Sequence, residues 1–114
     1  MRYYIYIVRC EDGSHYTGIT TDPRRRMREH VLRLPSGAKY TKSHPVASLE
    51  ALWSAETRSE ASILEAAIKR LRPKEKRQLA AQPDRLEQLL GARLDASRYR
   101  PEARFSLDEI KAEA

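Results

Sequence analysis

The residues with the most chemical potential are two tyrosines, Tyr6 and Tyr16, a pair four apart, Arg26 and His30, and a distant acid, Glu65. Spacing of four on a helix puts Arg26 and His30 on one face. Glu65 stands three residues before Ile68, at the edge of an apolar helical stripe rather than opposite it. Hydrolysis of a phosphodiester needs residues of these types. A phenol or imidazole can take the proton of an attacking water, and a guanidinium can hold charge that grows on phosphoryl oxygens. A single carboxylate, with waters and substrate phosphate, suits a magnesium ion. The basic loop Lys39-Tyr40-Thr41-Lys42 is suited to touching backbone phosphates rather than reacting with them. Structural roles are the alternative for each residue. Strand tyrosines usually pack, and Tyr4 is read that way, with Trp53 as core. A run of arginines is usually a solvated face, and Glu65 has Lys69 at i+4 as a simple ion-pair partner.

Positioning these groups falls to a short chain of 114 residues, enough for one domain with one modest core. Lys and Arg number 22 against 16 Asp and Glu, a net charge of +6. That balance favours a polyanionic partner, nucleic acid or an anionic membrane. The second is disfavoured. The chain has no stretch of about 18 apolar residues, and the apolar residues of the basic helix, Met27, Val31, Leu32 and Leu34, are needed for the core. The opening segment is too short and too aromatic for a secretory leader. Cys10 is the single cysteine, so no internal disulfide can form, and a cytoplasmic location is expected. With His15, His30 and His44 it shows none of the usual zinc spacings. A monomer or weak homodimer is expected.

Residues 3 to 9, β-branched and aromatic, read as a strand, and His15 to Thr20 as its returning partner across a Glu11-Asp12-Gly13 turn. Asp22-Pro23 opens a basic helix to about Leu34, with Asp as N-cap and Pro at the first helical position. A loop runs from 38 to 45, and a third strand from Ala47 to Ala55. Thr57-Arg58-Ser59-Glu60 fits a capping box ahead of a helix whose Ala61, Leu64, Ala67, Ile68 and Leu71 face the core. Pro73 restarts a helix to Ala81. The expected fold is therefore α+β: a small three-stranded antiparallel sheet flanked by helices, over residues 1–81. Residues 82–114 read as a helical or partly disordered extension.

Tyr6 and Tyr16 can cooperate only on one face of the sheet. A two-residue turn at Asp12-Gly13 would separate them. A three-residue loop with Gly13 left-handed pairs Cys10 with Ser14 and brings them together, and this is the loop expected.

Tyr4-Ile5-Tyr6, nine residues, then Tyr16-Thr17-Gly18 resembles the paired signature of the GIY-YIG nuclease family. Arg26, His30 and Glu65, the last in a Glu-x-x-Ile-Lys context, follow in the family's order. The Gly37-Ala38-Lys39-Tyr40-Thr41 loop is similar to that of its small stand-alone bacterial members, the YhbQ-like group. The likeness covers about residues 2 to 78. It departs from the pattern at Tyr4, where the signature has glycine, and at Thr17. It departs again at Ile19, where some members carry lysine.

The resemblance implies a GIY-YIG endonuclease fold and a metal-dependent endonuclease acting on DNA, with Mg²⁺ or Mn²⁺ as cofactor. Its alternative is a nucleic-acid-binding protein on the same scaffold that cuts weakly or not at all. It implies Tyr16 as base or water-orienting group, Tyr6 as its support, Arg26 on the scissile phosphate, His30 assisting proton transfer, and Glu65 on the metal. Arg24, Arg25, Lys39, Tyr40, Lys42 and Lys69 are the residues expected to hold nucleic acid.

Overall fold

A computed structural model describes residues 1–113. Strands β1 (Tyr3–Cys10), β2 (His15–Thr20) and β3 (Val46–Ala55) form an antiparallel sheet in the order β2-β1-β3, and a fourth strand, β4 (Arg100–Pro101), adds to the free side of β3. The sheet thus has four strands, not the three expected. The fourth is two residues long and contains a proline, so neither length nor alternation marks it. What holds it is Tyr99, nearly buried, whose hydroxyl donates to the Glu60 carbonyl at 2.6 Å.

The β1–β2 loop has the expected geometry. Gly13 takes φ +87°, the Cys10 N–H donates to the Ser14 carbonyl at 2.8 Å, and the register pairs Val8 with Tyr16 and Tyr6 with Gly18. Side chains alternate across a strand, so Tyr4, Tyr6, Val8 and Tyr16 fall on one face, and Tyr3, Ile5, Ile7, Thr17 and Ile19 on the other.

Each face has its own core. Ile5, Ile7, Ala51 and Trp53 pack against Ala61, Leu64 and Ile68 of α3 (Arg58–Lys69) and Leu79 of α4 (Pro73–Ala81). Tyr6, Val8, Leu49 and Leu52 pack against Met27 of α1 (Pro23–Val31). Asp22 caps α1 by accepting from the Arg25 N–H at 3.1 Å, with Pro23 at the first helical position. The helix stops at Val31 rather than near Leu34. Arg33 turns left-handed, at φ 53°, while the Leu34 and Arg33 N–H groups donate back to the Glu29 and His30 carbonyls. This double closure satisfies the end of the helix. The chain that follows, expected as loop, holds a short helix, α2 (Lys39–Ser43).

Residues beyond Ala81 contribute to both cores. Leu86 and Leu90 of the region around α5 (Leu86–Leu90) join Tyr99 on the α3 side, while Leu107, Phe105 and Ile110 pack on the α1 side near α6 (Asp108–Lys111). Leu90 is 1% exposed. Replacing it with Ala should cost about 2–5 kcal/mol of unfolding free energy, seen as a lower urea midpoint in a single transition. An extension lying outside the cooperative unit would leave the midpoint unchanged.

Candidate active site

The site is built on the α1 face, from the middle of β1 outward. Tyr6 is 1% exposed, and its hydroxyl lies 2.7 Å from Nε2 of His30, itself 1% exposed. Nδ1 of His30 lies 2.8 Å from the Thr41 hydroxyl oxygen, and that hydroxyl donates to the Ala38 carbonyl at 3.0 Å. This last bond fixes the direction of the rest. A hydroxyl has one proton, so Thr41 must accept from His30 Nδ1–H. His30 Nε2 is then the acceptor, and Tyr6 donates to it. The Tyr6 oxygen in turn accepts a longer contact, 3.4 Å, from Nε of Arg26.

The titration of these groups agrees with that polarity. Burial holds His30 down to about 4, and the Arg26 charge acts in the same sense, so the ring is neutral near neutral pH. Burial pushes the Tyr6 phenol well above its usual range, with the Tyr16 phenol and Glu65 carboxylate adding to it. Tyr6 is therefore a fixed donor and a poor base. Gly18 makes room for it, since a Cβ at that position would overlap the Tyr6 hydroxyl.

Arg26 is held by three partners. Nη1 donates to Glu29 at 2.9 Å and to the Ser36 carbonyl at 2.7 Å, while Nε reaches Tyr6. Ser36 lies three residues past the left-handed turn at Arg33. Among the described residues Nη2 has no partner. Tyr16 packs beside this group, its ring centroid 6.3 Å from Tyr6, 5.6 Å from His30 and 5.8 Å from Tyr40, the last nearly parallel. Tyr40 stacks in turn on His44, at 3.9 Å. The Tyr16 ring is half-buried, and its hydroxyl forms no hydrogen bond among the described residues.

Glu65 arrives by a different route. α3 covers the opposite face of the sheet, but it lies along β2, which is the edge strand. Glu65, whose side chain is 25% exposed, pairs with Lys69 at 3.3 Å, and Lys69 Nζ lies 5.9 Å from the Tyr16 ring centroid. Through Lys69 this pair approaches the Tyr16 ring from the β2 side of the sheet. No group of three or more His, Cys, Asp or Glu side chains converges among the described residues, so a many-ligand protein cage is not built here. One accessible carboxylate fits a magnesium-like ion, which keeps most of its water shell.

The remaining sequence candidates are spread more widely. Arg25 is exposed on α1 and lines a cleft beside Arg26. Lys39 and Lys42 are exposed on α2, next to Tyr40, with Lys42 Nζ donating to the Pro35 carbonyl at 3.0 Å. Arg24 points away from the site, its guanidinium 4.3 Å above the Phe105 ring. Ile19 pairs with Ile5 and lies on the face opposite Tyr16. Sequence reasoning missed Thr41, Glu29, Ser36 and Gly18. Of these only Gly18 carried a signal, since glycine inside a strand often marks close approach.

Comparison with known proteins relates the chain to a family. The family model of the GIY-YIG catalytic domain matches residues 2–78. A UPF0213 protein of Fusobacterium nucleatum is 45% identical over 84 residues, which are 74% of this chain and 82% of that protein. A UPF0213 protein of Enterococcus faecalis is 47% identical over 79 residues, covering 67% of this chain and 86% of that protein. A solution NMR structure of an E. faecalis protein, 46% identical, covers 68% of this chain and 81% of its own, with a TM-score of 0.49.

The buried imidazole predicts a pH dependence. Unfolded, a histidine takes up a proton near pH 6.5, whereas His30 in the folded chain resists until about 4. The unfolded state binds that proton first, so stability should fall as pH drops from about 6.5 toward 4. Urea midpoints measured across this range should decline in the native protein and decline less steeply in His30→Gln, where His15, also held low by burial, still contributes. Equal slopes in the two would show that His30 is not the group responsible.

Proposed function

The chain belongs to the GIY-YIG family, and on that premise we propose that it is a metal-dependent endonuclease that hydrolyses phosphodiester bonds in DNA. The observation that carries this reading is the position of Tyr16. Its ring, with a hydroxyl that forms no hydrogen bond among the described residues, packs beside a phenol and an imidazole whose protons are already committed, and that phenol in turn meets the Arg26 guanidinium.

Tyr16 orients the attacking water and, once its own proton has left to solvent, accepts the water proton as oxygen bonds to phosphorus. The bond to the leaving oxygen breaks in line with that attack. Arg26 holds the phosphoryl oxygens as their charge grows, with Glu29 and Ser36 fixing its plane. Tyr6 and His30 act as positioning residues. Their bond holds the floor of the site rigid, and His30, fully enclosed, reaches substrate only through Tyr6. Glu65 would hold Mg²⁺ or Mn²⁺, which supplies neutralisation of charge on the leaving oxygen. Lys39, Tyr40 and Lys42 supply backbone contacts on the α2 side, with Arg25 on the other. Lys69 lies beside Tyr16 on the α3 side. Arg24, turned toward Phe105, contributes to the general positive field.

A second reading has an observation in its favour. Glu65 is already paired with Lys69, as it would be in a scaffold that binds nucleic acid without cutting it. Tyr16→Phe and Glu65→Ala separate the two. Each should lower metal-dependent cleavage of a DNA panel by about 10²–10⁴-fold while the urea midpoint stays near that of the native protein. Binding without cleavage by the native protein in both Mg²⁺ and Mn²⁺ would select the binding scaffold instead.

A further inference from the structure

α3 runs along β2 so that Lys69 lies near Tyr16 while Arg58, its first residue, lies at the far end of β2. A cleft at that end has walls that include Arg25 and Arg26 from α1 and Arg58 from α3, with Ile19, Thr20 and Thr21 of the β2 end and Tyr3 between them. Arg25 and Arg58 are both exposed. Among the described residues neither forms an ion pair. Glu29 is the acid of the cleft, and it is already bonded to Arg26. Two uncommitted guanidinia from different helices thus face one opening.

We infer that this cleft is a second phosphate subsite, in which Arg25 and Arg58 hold an internucleotide phosphate next to the one that is cut. The inference rests on the nuclease reading for its direction but not for its chemistry. Arg26 borders both the cleft and Tyr6, and from Tyr6 to Tyr3 the strand advances roughly 10 Å, so the cleft adjoins the scissile phosphate and extends beyond it toward Arg58. The next phosphates along a bound strand are the nearest anions that substrate would bring there. Guanidinium is the side chain best suited to the task, because its planar fork meets phosphate oxygens two at a time. The two walls together would fix the direction of the strand, from α2 and Tyr16, past Arg26, to Arg58.

The test measures binding of the full chain to a short fluorescein-labelled oligodeoxynucleotide by anisotropy in EDTA, over a range of salt. Arg58→Gln and Arg25→Gln should each reduce the slope of log affinity against log salt by about 1, and Arg58→Lys should keep most of the slope. A set of oligonucleotides with a single neutral methylphosphonate, moved step by step along the strand, should weaken the native protein at one position near the cut. The same change should have no further effect on Arg58→Gln. Unchanged slopes in both Gln variants, with folding intact, would overturn the subsite, as would methylphosphonate effects equal in native and Arg58→Gln proteins. Because the binding is read without metal, a native protein that binds in this manner but never cuts defeats only the nuclease reading. One that cuts normally with slopes unaffected by Arg58→Gln defeats only the subsite.

Discussion

A single buried relay of hydrogen bonds, from Arg26 through Tyr6, His30 and Thr41 to the Ala38 carbonyl, sets the terms for the rest of the molecule. It ties together β1, α1 and α2, elements that otherwise meet only through modest packing. Its polarity is decided at one end, where the Thr41 hydroxyl spends its proton on a backbone carbonyl. Each donor upstream then has one acceptor, and no buried member of the relay is left unsatisfied. Enclosed networks of this kind are strong when complete and costly when broken, since a stranded polar group forfeits its solvation. The cost of burying a histidine is visible in its depressed titration. The return is a phenol locked in one orientation.

That rigidity divides the labour between two tyrosines that look alike in sequence. Tyr6 is enclosed, committed as a donor, and hard to ionise. Tyr16, one strand over on the same face, is half-exposed with a free hydroxyl. The edge position of β2 matters as much. An interior strand would have kept α3 and its carboxylate on the wrong side of the sheet. An edge strand lets the Glu65–Lys69 pair approach Tyr16 through the lysine, and the cleft at its far end is lined by Arg25, Arg26 and Arg58. The net charge of +6 adds a positive field of the kind that favours a polyanionic partner.

Much of this arrangement is legible in the amino-acid sequence. Gly13 and the parity of the intervening residues are enough to place Tyr6 and Tyr16 on one face, because strand alternation leaves only two possibilities. Asp22-Pro23 marks the start of α1, and the stripe Ala61, Leu64, Ile68 marks the buried side of α3. What escapes such a reading depends on contacts between segments distant in the chain. Thr41 lies in what reads as a polar loop, and its role exists only because His30 comes to meet it. Arg33 ends α1 in a left-handed turn usually given to glycine, so nothing local announces it. β4 exists because Tyr99 anchors Arg100-Pro101 against β3, a tertiary cause with no periodic signature. Arg58 reads simply as part of a capping segment, and only the path of α3 along β2 turns it toward Arg25.

The proposed reaction turns on Tyr16 handling the proton of the attacking water. Its most direct test is the pH profile of single-turnover DNA cleavage with Tyr16 replaced by 3-fluorotyrosine, which keeps the shape of the ring and makes the phenol more acidic. The limb of the profile that reports the phenol should move to lower pH by about the same interval as the phenol itself. A profile that stays where it was, at an undiminished rate, would contradict a proton-handling role for Tyr16 and assign the water's activation elsewhere.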